Sequence, residues 1–226
     1  NTQVPVPIQV LFVSTGDISA QSMHSPRLVW KVGKLAEVKV IEKSVGLHAG
    51  YFINAAQDWL IEENAGVVLT QVQSDPFETW NFSKTRVSLK RNARFHSSNS
   101  STGSILVRHH FEARLEEEGA ELILNGVSVL GGKEQVHNFV RIHHEAPECV
   151  SHQHFKNVIN DDGRSSFDGT VIVNPGAQLT SSEQLINNLM LSNNGHADNK
   201  PNLMIFADDV KCTHGATISQ LQEDEM

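Results

Sequence analysis

Short apolar runs rich in β-branched and aromatic residues recur along this chain, separated by Gly, Asn and Ser. Leu28, Val29, Trp30 and Val32 lead into Val38, Val40 and Ile41, and Val67, Val68, Leu69 and Val72 follow one unit later. Runs of this length and composition predict strands. Helical spacing is clearest over Ser181 to Leu191, where Ser182 opens the segment and Leu185 and Leu189 stand at i, i+4. The position of that segment inside a repeat unit leaves a strand or a loop equally open.

The repeat is marked by a small residue ahead of each strand-forming run: Ala36, Ala65, Ala93, Ala120, Cys149, Ala177 and Ala207. Successive members lie 29, 28, 27, 29, 28 and 30 positions apart. A period of that size signals a solenoid, in which no unit buries its apolar face alone and each coil stacks on the next. The prediction is a single all-β domain over residues 1–226, a parallel β-helix with these seven residues at equivalent corners or in a narrow interior layer. Seven coils at one strand spacing each make a rod about 34 Å long. The competing reading is an ordinary β-sandwich in which the spacing is coincidental. Ser97–Ser104, low in complexity, and the Gly131-Gly132-Lys133 loop are read as bulges between coils.

Composition narrows the function classes. The net charge of −8 weighs against a general nucleic-acid binder, which must neutralise phosphates. Arg86, Lys90, Arg91 and Arg94 form a local basic patch, read as a solvated face. Two cysteines 63 positions apart make no disulfide framework, which points to a reducing compartment, with the cytoplasm as the default. No run approaches the ~18 apolar residues of a membrane span. The chain begins at Asn1 without a methionine, as a processed or trimmed polypeptide would.

Most motif-like features resolve to bland readings. Gly132-Lys133 lacks the glycine five residues upstream and the hydroxyl residue downstream of a phosphate loop, having Val127 and Glu134 instead. His143-His144-Glu145 with Pro147-Glu148-Cys149 lacks the second cysteine of a zinc deaminase. His143, His144, His152 and His154 could gather a metal through imidazole nitrogens, but no carboxylate or thiolate pattern completes the set, and they read as structural or surface histidines. Asp161-Asp162 and Asp208-Asp209 are adjacent pairs, which on a strand face opposite ways and cannot flank one glycosidic bond. That weighs against a polysaccharide-acting β-helix enzyme. Cys212 and His214 differ: at i and i+2 of a strand they present sulfur and imidazole on one face. Taken alone, such a pair is more often structural, since free cysteine behaves as a small hydrophobe.

The segment around that pair changes its weight. Asp208-Asp209-Val210-Lys211-Cys212-Thr213-His214-Gly215-Ala216-Thr217 resembles the hallmark of the SufD branch of the SufB/SufD family of iron–sulfur cluster assembly scaffold subunits. The likeness runs through Ser25-Pro26-Arg27-Leu28, Ile41-Glu42, Gly119-Ala120, His144, Ser151, Lys156, Phe167-Asp168-Gly169, Ala177-Gln178 and Asn188–Ser192. SufB typically carries Glu-His-Glu near this place, so Lys211–Gly215 resembles the SufD form.

The resemblance implies a right-handed parallel β-helix that pairs with SufB, with the SufC ATPase docking on C-terminal helices of both. It implies a non-enzymatic role in which iron or a nascent iron–sulfur cluster is held at the partner junction by His214 and Cys212. Since a cluster usually takes several protein ligands, a partner supplies the rest. A reduced flavin is implied by the family alone. The chain is read as a core fragment without the family's N- and C-terminal helical regions, forming a homodimer in isolation through its exposed strand edges. A purely structural solenoid would leave the Cys212–Thr217 block without a reason.

Overall fold

The computed structural model describes residues 5–15 and 22–220, and within them every regular element is a strand. After β1 (Ile8–Ser14) come seven coils, each made of a first and a second limb. They are β2 (Ser22–His24) with β3 (Arg27–Val32) and then β4 (Glu37–Gly46); β5 (Tyr51–Ile61) and β6 (Gly66–Asp75); β7 (Trp80–Leu89) and β8 (Arg94–Gly103); β9 (Leu106–Leu115) and β10 (Glu121–Leu130). The last three are β11 (Gln135–His144) and β12 (Val150–Ile159), β13 (Arg164–Val173) and β14 (Thr180–Met190), and β15 (His196–Ile205) and β16 (Val210–Gln220). Every pairing is parallel. One sheet runs β1-β4-β6-β8-β10-β12-β14-β16, and the facing sheet runs β15-β13-β11-β9-β7-β5 with β2 and β3 both on β5. The chain is therefore a flattened parallel β-helix. The break between β2 and β3 falls at Ser25-Pro26, where proline has no N–H to give to the ladder.

The helical option at Ser181–Leu191 is settled as strand β14, whose burial alternates strictly. Ser182, Gln184, Ile186 and Asn188 point inward, so the i, i+4 leucines lie on the outer face. The Ser97–Ser104 stretch is not a bulge, because Ser97 to Gly103 belong to β8. Small hydroxyl side chains fit the narrow interior there, and Ser101 Oγ and Ser83 Oγ bond the two ring nitrogens of His109 at 3.0 and 2.8 Å. Gly131–Lys133 does form a turn between strands.

The small-residue column holds over five coils. Register stacks Ala36, Ala65, Ala93, Ala120 and Cys149, each carbonyl accepting the N–H that follows the next residue of the column at 2.9–3.0 Å. The preceding residue in each case takes a left-handed φ: Leu35, Asn64, Asn92, Gly119 and Glu148. That turns the chain sharply and leaves room for little beyond a methyl at the corner. In the last two coils the column is occupied by Thr180 and Val210, and Ala177 and Ala207 sit three residues upstream of it. The cause is a longer corner, Asn174–Leu179, in which a second turn follows the first and Thr180 Oγ1 donates to the Ala177 carbonyl at 2.9 Å. Both alanines remain buried.

The interior is layered. Near the first limbs of the early coils, Trp30 and Trp59 stack at 4.7 Å and Phe95 meets Trp59 edge-on at 5.4 Å. Beyond them lies a polar chamber in which Asp75 accepts from Ser44, Tyr51, Gln73 and Asn81, and Glu42 accepts from Gln57 and Gln71. Burial pushes the Glu42 carboxyl above its ordinary range. Phe155 and Phe167, at 4.9 Å, close the space between this chamber and the last coils. Their rings occupy the volume that side chains would take at Gly126 and Gly169, where an added Cβ would lie 2.3 Å from the Phe155 and Phe167 rings respectively. The Phe167-x-Gly169 spacing singled out in the sequence is thus a packing requirement.

Candidate functional site at the terminal strand

β16 pairs only with β14, so its other edge has unpaired backbone groups among the described residues. The strand is anchored by Asn187 Nδ2 to Thr217 Oγ1 at 2.9 Å and Asn188 Nδ2 to the Thr217 carbonyl at 3.1 Å. Its corner is fixed by the Leu179 N–H on the Asp209 carbonyl and by Gln178 Oε1 on the Asp209 N–H. Cys212 lies opposite Ser182 and His214 opposite Gln184. Both belong to the set that continues the inward face of β14, so the two predicted residues do share one face. Cys212 is half-buried against the core, whereas His214, with no coil stacked beyond it among the described residues, is exposed. Burial raises the Cys212 thiol, so a metal bound there would have to displace its proton to solvent or a base.

Two inward columns back this pair, and sequence reasoning passed over their outer members. Behind Cys212 stand Ser182 and Ser151, whose hydroxyls bond at 2.9 Å, and Ser151 meets His144 Nε2 at 2.9 Å. Behind His214 stand Gln184 and Gln153. The signal available was the inward phase of each strand combined with a register offset of about one repeat.

His144 is fully buried and stays neutral, its pKa lowered to about 4 by desolvation. The unfolded chain therefore binds a proton that the folded chain refuses between pH about 6.5 and about 4. Its contribution is whole above that window and is lost as pH falls through it, by on the order of 3 kcal/mol. The unfolding free-energy gap between wild type and His144→Gln, measured in urea, is expected to narrow by that amount across this window. A gap independent of pH would contradict it.

The remaining candidates separate. His143 and His144 face opposite sides of β11, and His152 and His154 share the outer face of β12, where His152 lies 3.5 Å from Glu183. No group of three or more metal-ligating side chains assembles among the described residues. Asp161-Asp162 and Asp208-Asp209 occupy corners rather than strands. Three of the four basic residues of the patch are paired in place: Arg86 with Asp58 at 2.5 Å, Lys90 with Glu116 at 3.0 Å, and Arg94 with Glu37.

Residues 12–226 match the family described as SUF system FeS cluster assembly, SufBD core domain. The chain belongs to the SufBD family. Among its relatives, an iron–sulfur cluster assembly SufBD family protein of Synechocystis is 30 % identical over 237 residues, covering 100 % of this chain and 52 % of the relative. The chloroplastic protein ABCI7 of Arabidopsis thaliana is 29 % identical over 98 % of this chain and 48 % of its own length. The iron–sulfur cluster assembly protein SufD of Escherichia coli is 29 % identical over 84 % of this chain and 45 % of its own. The chain spans about half the length of these relatives. Among the described residues, no helix is long and apolar enough to cross a membrane. In this SufBD core, both cysteines are unpaired.

Proposed function

We propose that this chain is the β-helix core of a SufD-type scaffold subunit that pairs with SufB through its β15–β16 end, so that a nascent iron–sulfur cluster forms at the junction. The observation that carries the reading is the placement of Cys212 and His214 on one face of a terminal strand with an open edge. A thiol and an imidazole are suitable iron ligands, and two fall short of the usual four, so the complement comes from across the interface. Apolar side chains exposed at the same end, Met204, Ile205, Phe206 and Ile218, fit burial by a partner.

The chain breaks no substrate bond in this scheme. It holds iron or sulfide while the cluster is built, in a reducing compartment such as the cytoplasm that keeps Cys212 unpaired. SufC engages helical regions outside the β-helix, so the core alone does not recruit it.

Native mass determination of the chain alone and mixed with SufB and SufC tests the pairing. Alone it is expected as a homodimer using the end otherwise offered to SufB, and with SufB as a one-to-one complex that displaces the homodimer. A monomer at tens of micromolar, roughly the range in which weak interfaces form, that also ignores SufB would refute it.

A further inference from the structure

Behind His214 lies a pair of buried carboxamides that bond to nothing. Gln184 and Gln153 are 0 % and 1 % exposed, and neither the nitrogen nor the oxygen of either side-chain amide has a hydrogen-bond partner. A buried polar group left unmade costs about 1–3 kcal/mol, so an aliphatic pair would serve the core better. Nearby interior amides of the same strands are satisfied, Asn157 donating to Asn188 at 2.8 Å. Gln184 is also held in place: its Nε2 stands 3.0 Å from where a Cβ on Gly169 would be, so the amide is wedged against the facing sheet. Gln153 lies on one side of it in register and His214 on the other, about one strand spacing of 4.8 Å away.

We propose that Gln184 is a positioning residue for His214, its side-chain carbonyl accepting the N–H of the inward imidazole nitrogen and so presenting the other nitrogen outward beside Cys212. An imidazole has two distinct nitrogens, and the bond made by one sets which tautomer the other displays. Histidines that bind metal almost always donate their second N–H to such an acceptor. The arrangement supplies a reason for keeping a carboxamide where packing alone favours a hydrocarbon. The positioning role does not depend on which metal is bound, while the ligand it serves, iron, rests on the function proposed above.

The test reads the two nitrogens of the His214 ring by 15N NMR in the full chain, with His214→Gln used to assign them. Wild type is expected to show one dominant tautomer. Gln184→Leu is expected to give an averaged pair of signals, Gln184→Glu to restore the single tautomer, and Gln153→Leu to leave it unchanged. If Gln184→Leu fails to fold, Gln184→Met carries the same comparison. Identical His214 signals in wild type and in the Leu or Met variant would overturn the proposal.

A second arm measures iron retention in the anaerobic complex of the full-length subunit with SufB and SufC, where Gln184→Leu is expected to weaken it about 10–100-fold, with recovery in Gln184→Glu. A changed tautomer with unchanged iron retention would uphold the positioning role and count against iron as the ligand of His214.

Discussion

His214→Ala, introduced into the full-length subunit and reconstituted anaerobically with SufB and SufC, is expected to give a complex of normal mass whose iron and sulfide contents fall at least about ten-fold, because loss of a ligand exceeds loss of a supporting contact. The side chain is exposed at the end of the solenoid, so its removal costs the fold little. Exposed substitutions of this kind usually stay within about 0.5 kcal/mol. Cys212→Ser is expected to act less severely if the thiol assists the histidine, since the hydroxyl keeps the size and the half-buried position. Wild-type iron and sulfide in the His214→Ala complex would remove the site from this subunit and leave it a structural partner.

The largest expected loss of stability comes from Phe167→Ala, about 3–5 kcal/mol by urea unfolding. Phe167 is 2 % exposed, lies across the open α-carbon of Gly169 and packs on Phe155 at 4.9 Å. Truncation leaves a cavity that cannot collapse, because Gly126 and Gly169 offer no side chains to fill it. In a solenoid each coil is held by its neighbours, so a defect at β12–β13 also loosens the outer coils that carry Cys212 and His214. Gly169→Ala tests the same packing from the other side, since the new methyl would drive into the Phe167 ring. A loss below about 1 kcal/mol for Phe167→Ala would show that the two rings do not seal the interior.

The period of small residues was readable from the chain because one coil is one repeat, and the short corner of the first five coils favours a small side chain. The shared face of Cys212 and His214 was readable for a similar reason: two-residue alternation is a property of the strand itself. Local pattern failed where a residue's role is set by another coil. Ala177 and Ala207 keep the spacing yet miss the column, because the extended corner at Asn174–Leu179 shifts the pairing and only the ladder registers the shift. Ser97–Ser104 reads as a bulge because serine is common in such segments, whereas the structure places Ser97 to Gly103 in a strand whose Ser101 meets His109 on the facing sheet. The only local signal at Gln184 is the inward phase of its strand. Its neighbours His214 and Gly169 lie 30 and 15 positions away in sequence, and they are brought to it only by coil stacking and by the closure of one sheet on the other.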